Sequence, residues 1–249
     1  MRCFDGHCDT LARCMATGEG LRQNTRHVDL ARCAALGQHA QIFAVFADSA
    51  AVNEPLYAIA QRQHALLERE CARNADLVRR CRTARDVRAA WAVGKTAALL
   101  GIEGAELLNC DPGRLDDAAA WDVVRLGLGP VIASHANSRA VCAHTRNLSD
   151  DLFCAIRDSG GVVGLNLYTD FLGGDGMDAV VRHVEHLLDL GGDETLALGG
   201  DLDGCDTLGG GITGVQDYPR LYAALAARGY DSALLQALFS DNWLRVLPK

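Results

Sequence analysis

The chain has 249 residues, 49% apolar and 22% charged, with 24 basic against 32 acidic side chains, a net charge of −8 and five prolines. That composition excludes disorder and collagen-like character, and the acidic balance argues against a general nucleic-acid binder, which carries a basic stripe. No apolar run approaches the roughly 18–20 residues that span a bilayer. The opening residues, Met-Arg-Cys-Phe-Asp-Gly-His, lack the apolar core of a secretory signal, so a cytoplasmic location is expected. Ten cysteines are scattered without a Cys-x-x-Cys pair and read as reduced thiols packed as small hydrophobes.

In chain order, the apolar segments are Arg2–Asp9, Gln41–Asp48, Thr96–Gly104, Pro130–His135, Gly161–Tyr168 and Thr195–Gly200. Nearly every residue in each is apolar, the pattern of a strand covered on both faces. Helical segments lie between them. Pro55, at a first helical position, opens one that runs from Leu56 to about Arg80. Ser149 before Asp150 and Asp151 is an N-cap with acids in the first turn, and that helix stops at Gly160-Gly161. Another runs from about Met177 to Leu190, and the tail from Pro219 to about Val246 is helical with a break at Gly229. No repeat or linker divides the chain, so one domain over residues 1–249 is expected. Such alternation gives parallel strands joined by crossover helices, as a barrel or as a doubly wound sheet.

The polar residues decide between the two. His7 and Asp9 close the first strand, Glu103 the third, His135 the next and Asp201 the last. Ionisable groups at the C-terminal ends of many strands converge only when the strands surround an axis, which is the TIM-like β/α barrel. A doubly wound nucleotide-binding sheet would place Gly-x-Gly-x-x-Gly after its first strand, and none stands there.

His7 and Asp9, two apart on a strand, point to the same side, where an imidazole and a carboxylate can hold a zinc-like ion. Glu103 follows an apolar strand, and a carboxylate there has to be ligated, paired or at an open mouth; its two oxygens could bridge two metals. His135 is the same kind of strand-end group. Asp201 and Asp203 fall on one side of what reads as an extended segment, where one of them could move a proton. His183 and His186 lie on a helix whose apolar neighbours favour a structural role. His27, His39 and His64 lack partners at ligand spacing. Arg139 and Arg146 flank the segment after His135 and could grip a substrate carboxylate, although taken alone each reads as a surface arginine.

Asp5-Gly6-His7-Cys8-Asp9-Thr10, Gly101-Ile102-Glu103-Gly104, Pro130-Val131-Ile132-Ala133-Ser134-His135-Ala136-Asn137, His144-Thr145-Arg146-Asn147-Leu148-Ser149-Asp150, Gly161-Val162-Val163-Gly164-Leu165-Asn166 and Gly199-Gly200-Asp201-Leu202-Asp203-Gly204 stand in this order along the chain. Together with the ending Asp241-Asn242-Trp243-Leu244-Arg245-Val246, the set resembles the membrane (renal) dipeptidases, zinc metallopeptidases with an amidohydrolase-like barrel. The resemblance implies that His7 and Asp9 hold a first zinc, that Glu103 bridges two zincs and that His135 is a ligand of the second. It further implies that Arg146 binds the free carboxylate of a dipeptide, that Asp201 handles the proton, and that a metal-activated water cleaves the peptide bond.

The chain departs from that family between Glu103 and His135. The family carries two further strands there, each ending in a histidine, whereas no histidine lies between residues 104 and 134 of this chain. Two βα units would take roughly 60 residues. The interval holds Leu107-Leu108-Asn109-Cys110 and one helical stretch, Leu115 to about Leu126. The expectation is therefore a contracted or incomplete barrel of about six recognisable strands, with a seam that a second copy in a homodimer could cover. The second metal site keeps Glu103 and His135 alone, with Cys110 or Asp111 as substitute ligands. A one-metal or rebuilt dipeptidase-like hydrolase is the favoured reading. The alternative is an impaired relative that binds metal or small peptides without turnover.

Overall fold

The computed structural model describes residues 1–47, 55–103, 127 and 129–249. Seven strands, all parallel, form one sheet: β1 (Arg2–Cys8), β2 (Gln38–Val45), β3 (Val78–Arg80), β4 (Thr96–Ile102), β5 (Ile132–Ala133), β6 (Val162–Leu165) and β7 (Leu196–Leu198). Their order across the sheet is β3-β4-β2-β1-β7-β6-β5. Six are the apolar segments read from the sequence, most of them trimmed at the ends. β3 is a seventh, and it corrects the long helix expected to reach Arg80. That helix, Leu56–Arg73, ends where the Asn74 side chain and backbone N–H both donate to the Glu70 carbonyl, at 2.9 and 3.0 Å. The chain then turns and Val78 enters register with Thr96. Three residues are too few to show a strand period.

A flat sheet would hold β4 and β5 five spacings apart, about 24 Å. Instead Glu103, just past β4, and His135, just past β5, come within 3.6 Å of each other. The sheet is therefore curled into a cup whose rim is the C-terminal end of every strand. Among the described residues β4 and β5 do not pair, so the described sheet is open along one seam. Ile102 on β4 and Ile132 on β5 are half exposed there. The contracted, incomplete β/α barrel expected from the sequence is what the chain forms. The expected segments Leu107–Cys110 and Leu115–Leu126, with Cys110 and Asp111, lie outside the described residues.

The helices that cover the cup carry the signals the sequence announced. Ser149 Oγ accepts from Leu152 N at the start of Asp150–Asp158, and Met177–Asp189 turns Val180, Val184 and Leu187 inward on one face. The tail is helical over Tyr218–Ala227, breaks around Gly229, and resumes through Ser232–Gln236 and a wide turn at Ala237–Asp241 to Asn242–Val246. It closes the bottom of the cup. Trp243 is fully buried, its ring stacks on Phe4 and its Nε1–H donates to the Leu198 carbonyl at 2.7 Å. The nine described cysteines are all free, seven of them buried, in line with packed thiols. No described helix is long and apolar enough to cross a membrane.

Candidate active site

The first strand is built to aim one imidazole. Its register against β2 slips between Asp5 and Cys8, a bulge that re-aims the residues at the rim. Asp5 is wholly buried and accepts from His7 N at 3.1 Å, from Gly200 N at 2.9 Å and from the Tyr218 hydroxyl. Burial raises its pKa, and those three donors oppose the rise. One carboxyl thus pins the ends of β1 and β7 together.

His7 Nδ1 lies 3.1 Å from Ser134 Oγ, which also lies 3.0 Å from His135 Nδ1. The two rings sit 3.9 Å apart, tilted by 44°. Ser134 can come this close because Gly164 lacks a side chain: a Cβ there would meet the Ser134 carbonyl at 2.1 Å. On its other side His7 Nε2 lies 3.1 Å from Glu103 Oε2 and 3.3 Å from Asp9 Oδ2. Neither contact has hydrogen-bond geometry, and among the described residues Nε2 and the buried Asp9 Oδ1 have no hydrogen-bond partner. Burial pushes the His7 pKa down, but the Asp9 and Glu103 carboxylates outweigh it and hold it up at about 10. Glu103 responds in kind: burial would raise its carboxyl, yet His7, His135 and Arg146 bring it down to about 2.

Asp201 completes the ring of donors. It lies in the left-handed backbone region, with a φ of 57°, a conformation tolerated by Asp more readily than by most residues. Its Oδ2 accepts from Asn166 Nδ2 at 3.0 Å, and Asn166 is held in turn by Asn137. Gly204 is the cradle for this packing, since a Cβ on it would meet Asp201 Oδ1 at 2.0 Å and Asp9 Oδ2 at 2.4 Å. Burial, with Asp9 and Glu103 nearby, pushes the Asp201 carboxyl up to about 7, against the pull of His7 and Asn166.

The expectation that Asp201 and Asp203 share one side of an extended segment is corrected. Asp203 is also left-handed, at φ 70°, and the turn sends the two side chains apart. Asp203 accepts from Thr10 Oγ1 at 2.5 Å and from His27 N at 2.8 Å, which makes it a clip between loops. His183 and His186 are structural as expected, the first between Ser138 N and the Leu172 carbonyl, the second on Asp150. Arg139 ties the rim loop through the Thr145 and Asn147 carbonyls. Arg146 is exposed at the mouth, with Nη2 3.2 Å from His135 Nε2. Burial, helped by the charges of His7 and Arg146, lowers the His135 pKa to about 3 against the pull of Glu103.

Above these groups opens a cavity of about 760 Å³, walled by Phe46, Ile59, Tyr168 and Phe171 and floored by Asp9, Glu103 and Asp201. Among the described residues two groups, His7–Glu103–His135 and His7–Asp9–Asp201, each bring their donor atoms within 4.8 Å of one another. Imidazole nitrogen with carboxylate oxygen is a donor set that suits zinc, and unpartnered buried donors facing one point are what an ion would satisfy. Sequence reasoning assigned no role to Asp5, Ser134 and Asn166. The available signal was a polar residue amid an apolar strand end.

A family profile described as Membrane dipeptidase (Peptidase family M19) matches residues 1–120 and 111–249, the whole chain in two overlapping stretches. The chain belongs to the membrane dipeptidase family. An M19 metallopeptidase described as dipeptidase AC superposes with a TM-score of 0.88 at 28% identity, covering 100% of this chain and 99% of its own. A metallopeptidase from Rhodobacter sphaeroides, liganded with a phosphinate mimic of the dipeptide L-Ala-D-Ala, superposes at 0.81 with 27% identity over 99% and 98%. A protein of Klebsiella pneumoniae from the pqqA 5′ region, itself uncharacterized, is 40% identical over 164 residues, 62% of this chain and 60% of that protein. The chain thus spans less than two thirds of this curated relative. Membership of the M19 family implies a metal.

Proposed function

We propose that this chain is a metal-dependent dipeptidase that uses zinc. The observation that carries the reading is a pair of buried donor atoms without a hydrogen-bond partner among the described residues, His7 Nε2 and Asp9 Oδ1, facing Glu103 and Asp201 at the floor of an open cavity. His7, Asp9 and Glu103 would hold the ion, with His135 beside it. A cation held there would supply Lewis-acid chemistry, polarising a carbonyl and lowering the pKa of a water.

The side chains of this chain do the rest. Asp201, with a carboxyl raised to about 7 by burial, is poised to take a proton and return it near neutral pH. Arg146, at the mouth, has guanidinium N–H groups for a substrate's terminal carboxylate. The aromatic pair Tyr168 and Phe171, edge to face at 4.9 Å, forms an apolar wall beside it. A cavity of about 760 Å³ is of the size that takes small ligands, and the complex of the Rhodobacter relative with a mimic of L-Ala-D-Ala supports a two-residue substrate. The free thiols support a reducing, cytoplasmic setting.

The test is turnover of a dipeptide panel that includes L-Ala-D-Ala by the zinc-loaded chain, beside Glu103→Gln. Hydrolysis by the first and loss of both zinc and hydrolysis in the second are expected. A fully loaded chain that cleaves no dipeptide, or full activity in Glu103→Gln, would sink the reading.

A further inference from the structure

We infer that the described donors of this chain hold one cation rather than two, and that the Arg146 guanidinium is a second positive pole built into the site; the inference rests on the metal-dependent reading above. Both donor groups at the rim, His7–Glu103–His135 and His7–Asp9–Asp201, draw on the same histidine. His7 Nδ1 is engaged with Ser134 Oγ, which leaves Nε2 alone, and one nitrogen lone pair binds one ion. The two groups are therefore alternatives around a single imidazole.

The hydrogen bonds choose between them. A guanidinium only donates, so at 3.2 Å from Arg146 Nη2 the His135 Nε2 accepts, and the ring's proton sits on Nδ1. Nδ1–H then donates to Ser134 Oγ, whose two lone pairs receive both imidazoles. The nitrogen that His135 would offer a metal is already taken by the Arg146 guanidinium. On the other side His7 Nε2 and Asp9 Oδ1 are buried with no hydrogen-bond partner among the described residues, and Glu103 Oε2 lies 3.1 Å from His7 Nε2. No histidine lies between residues 104 and 134, and among the described residues no donor other than His7 groups with Glu103 and His135. Glu103 is left between two positive poles. One exchanges with solvent; the other is covalently part of the chain and stays charged at any working pH.

The experiment uses the full chain loaded with Zn²⁺ and dialysed, with metal counted by mass spectrometry and the zinc shell read by X-ray absorption. One zinc per chain with one imidazole in its shell is expected, and His135→Ala should keep that zinc with affinity changed by no more than about threefold. Arg146→Gln should keep one zinc yet lower kcat about tenfold or more on free and C-terminally amidated dipeptides alike, while raising KM only for the free ones. Two zincs falling to one in His135→Ala, or two imidazoles per ion, would overturn the single-ion claim and leave the dipeptidase reading standing. An Arg146→Gln effect confined to KM for free carboxylates would overturn the second pole. A chain that takes up no zinc defeats both, and the absorption spectrum decides the count should His135→Ala fail to fold.

Discussion

His7 and His39 are buried imidazoles on neighbouring parallel strands, and each has nitrogen without a hydrogen-bond partner among the described residues. His39 sits near the start of β2, in register with Cys3, where burial alone drives its pKa down to about 3. His7 sits at the rim end of β1, where two carboxylates hold its pKa up at about 10. The same side chain at equal burial has opposite fates at the two ends of one sheet. A parallel cup has a polarity: loops that can bring carboxylates together emerge above the C-terminal strand ends, while the lower end is closed by packing. An unsatisfied nitrogen is a ligand in waiting at the rim and a plain cost at the floor.

The largest test of that contrast is His7→Gln, which should abolish zinc uptake and lower dipeptide turnover by about a thousandfold or more. A His39 substitution with the same loss of metal would erase the distinction. Next comes Ser134→Ala, which removes the acceptor that both imidazoles share. Zinc affinity, followed by competition with a chelator, should fall about 10- to 100-fold with the fold intact. An unchanged affinity would mean that the hydroxyl orients neither ring.

The smallest effect belongs to the floor. His39→Leu should leave zinc content untouched and stabilise the chain at pH 7 by about 1–2 kcal/mol, because two unsatisfied buried nitrogens are replaced by apolar volume. The pH dependence sharpens this. Unfolded, His39 takes a proton near pH 6.5; folded, it stays neutral down to about 3. The unfolded state binds more protons in that window, so stability conferred by the neutral form is complete above 6.5 and drains away as pH falls. At pH 5 the advantage of His39→Leu should widen by roughly 2 kcal/mol, read from urea midpoints. An equal advantage at both pH values would show that this histidine does not set the acid limit.

Much of this was legible in the residues. Apolar strands covered on both faces, the Ser149 cap and the rim positions of His7, Asp9, Glu103, His135 and Asp201 follow from pattern and direction alone. β3 did not, because three residues carry no period and Asn74, which ends the preceding helix, was absorbed into the helical pattern. Asp203 was misplaced because an alternating reading assumes extended backbone, whereas both Asp201 and Asp203 are left-handed. Ser134 and Asp5 act through partners 127 and 213 residues away, His7 and Tyr218, and no local spacing announces such meetings.

That last pairing bears on the order in which the molecule can be completed. The backbone of His7 is steadied by Asp5, whose carboxyl is itself clasped by the hydroxyl of Tyr218. A nascent chain therefore presents its earliest ligand two hundred residues before the group that steadies it has been synthesised. Loading of the ion in this sense waits on residue 218, and a chain stalled short of it would carry its donors without the brace that makes them a site.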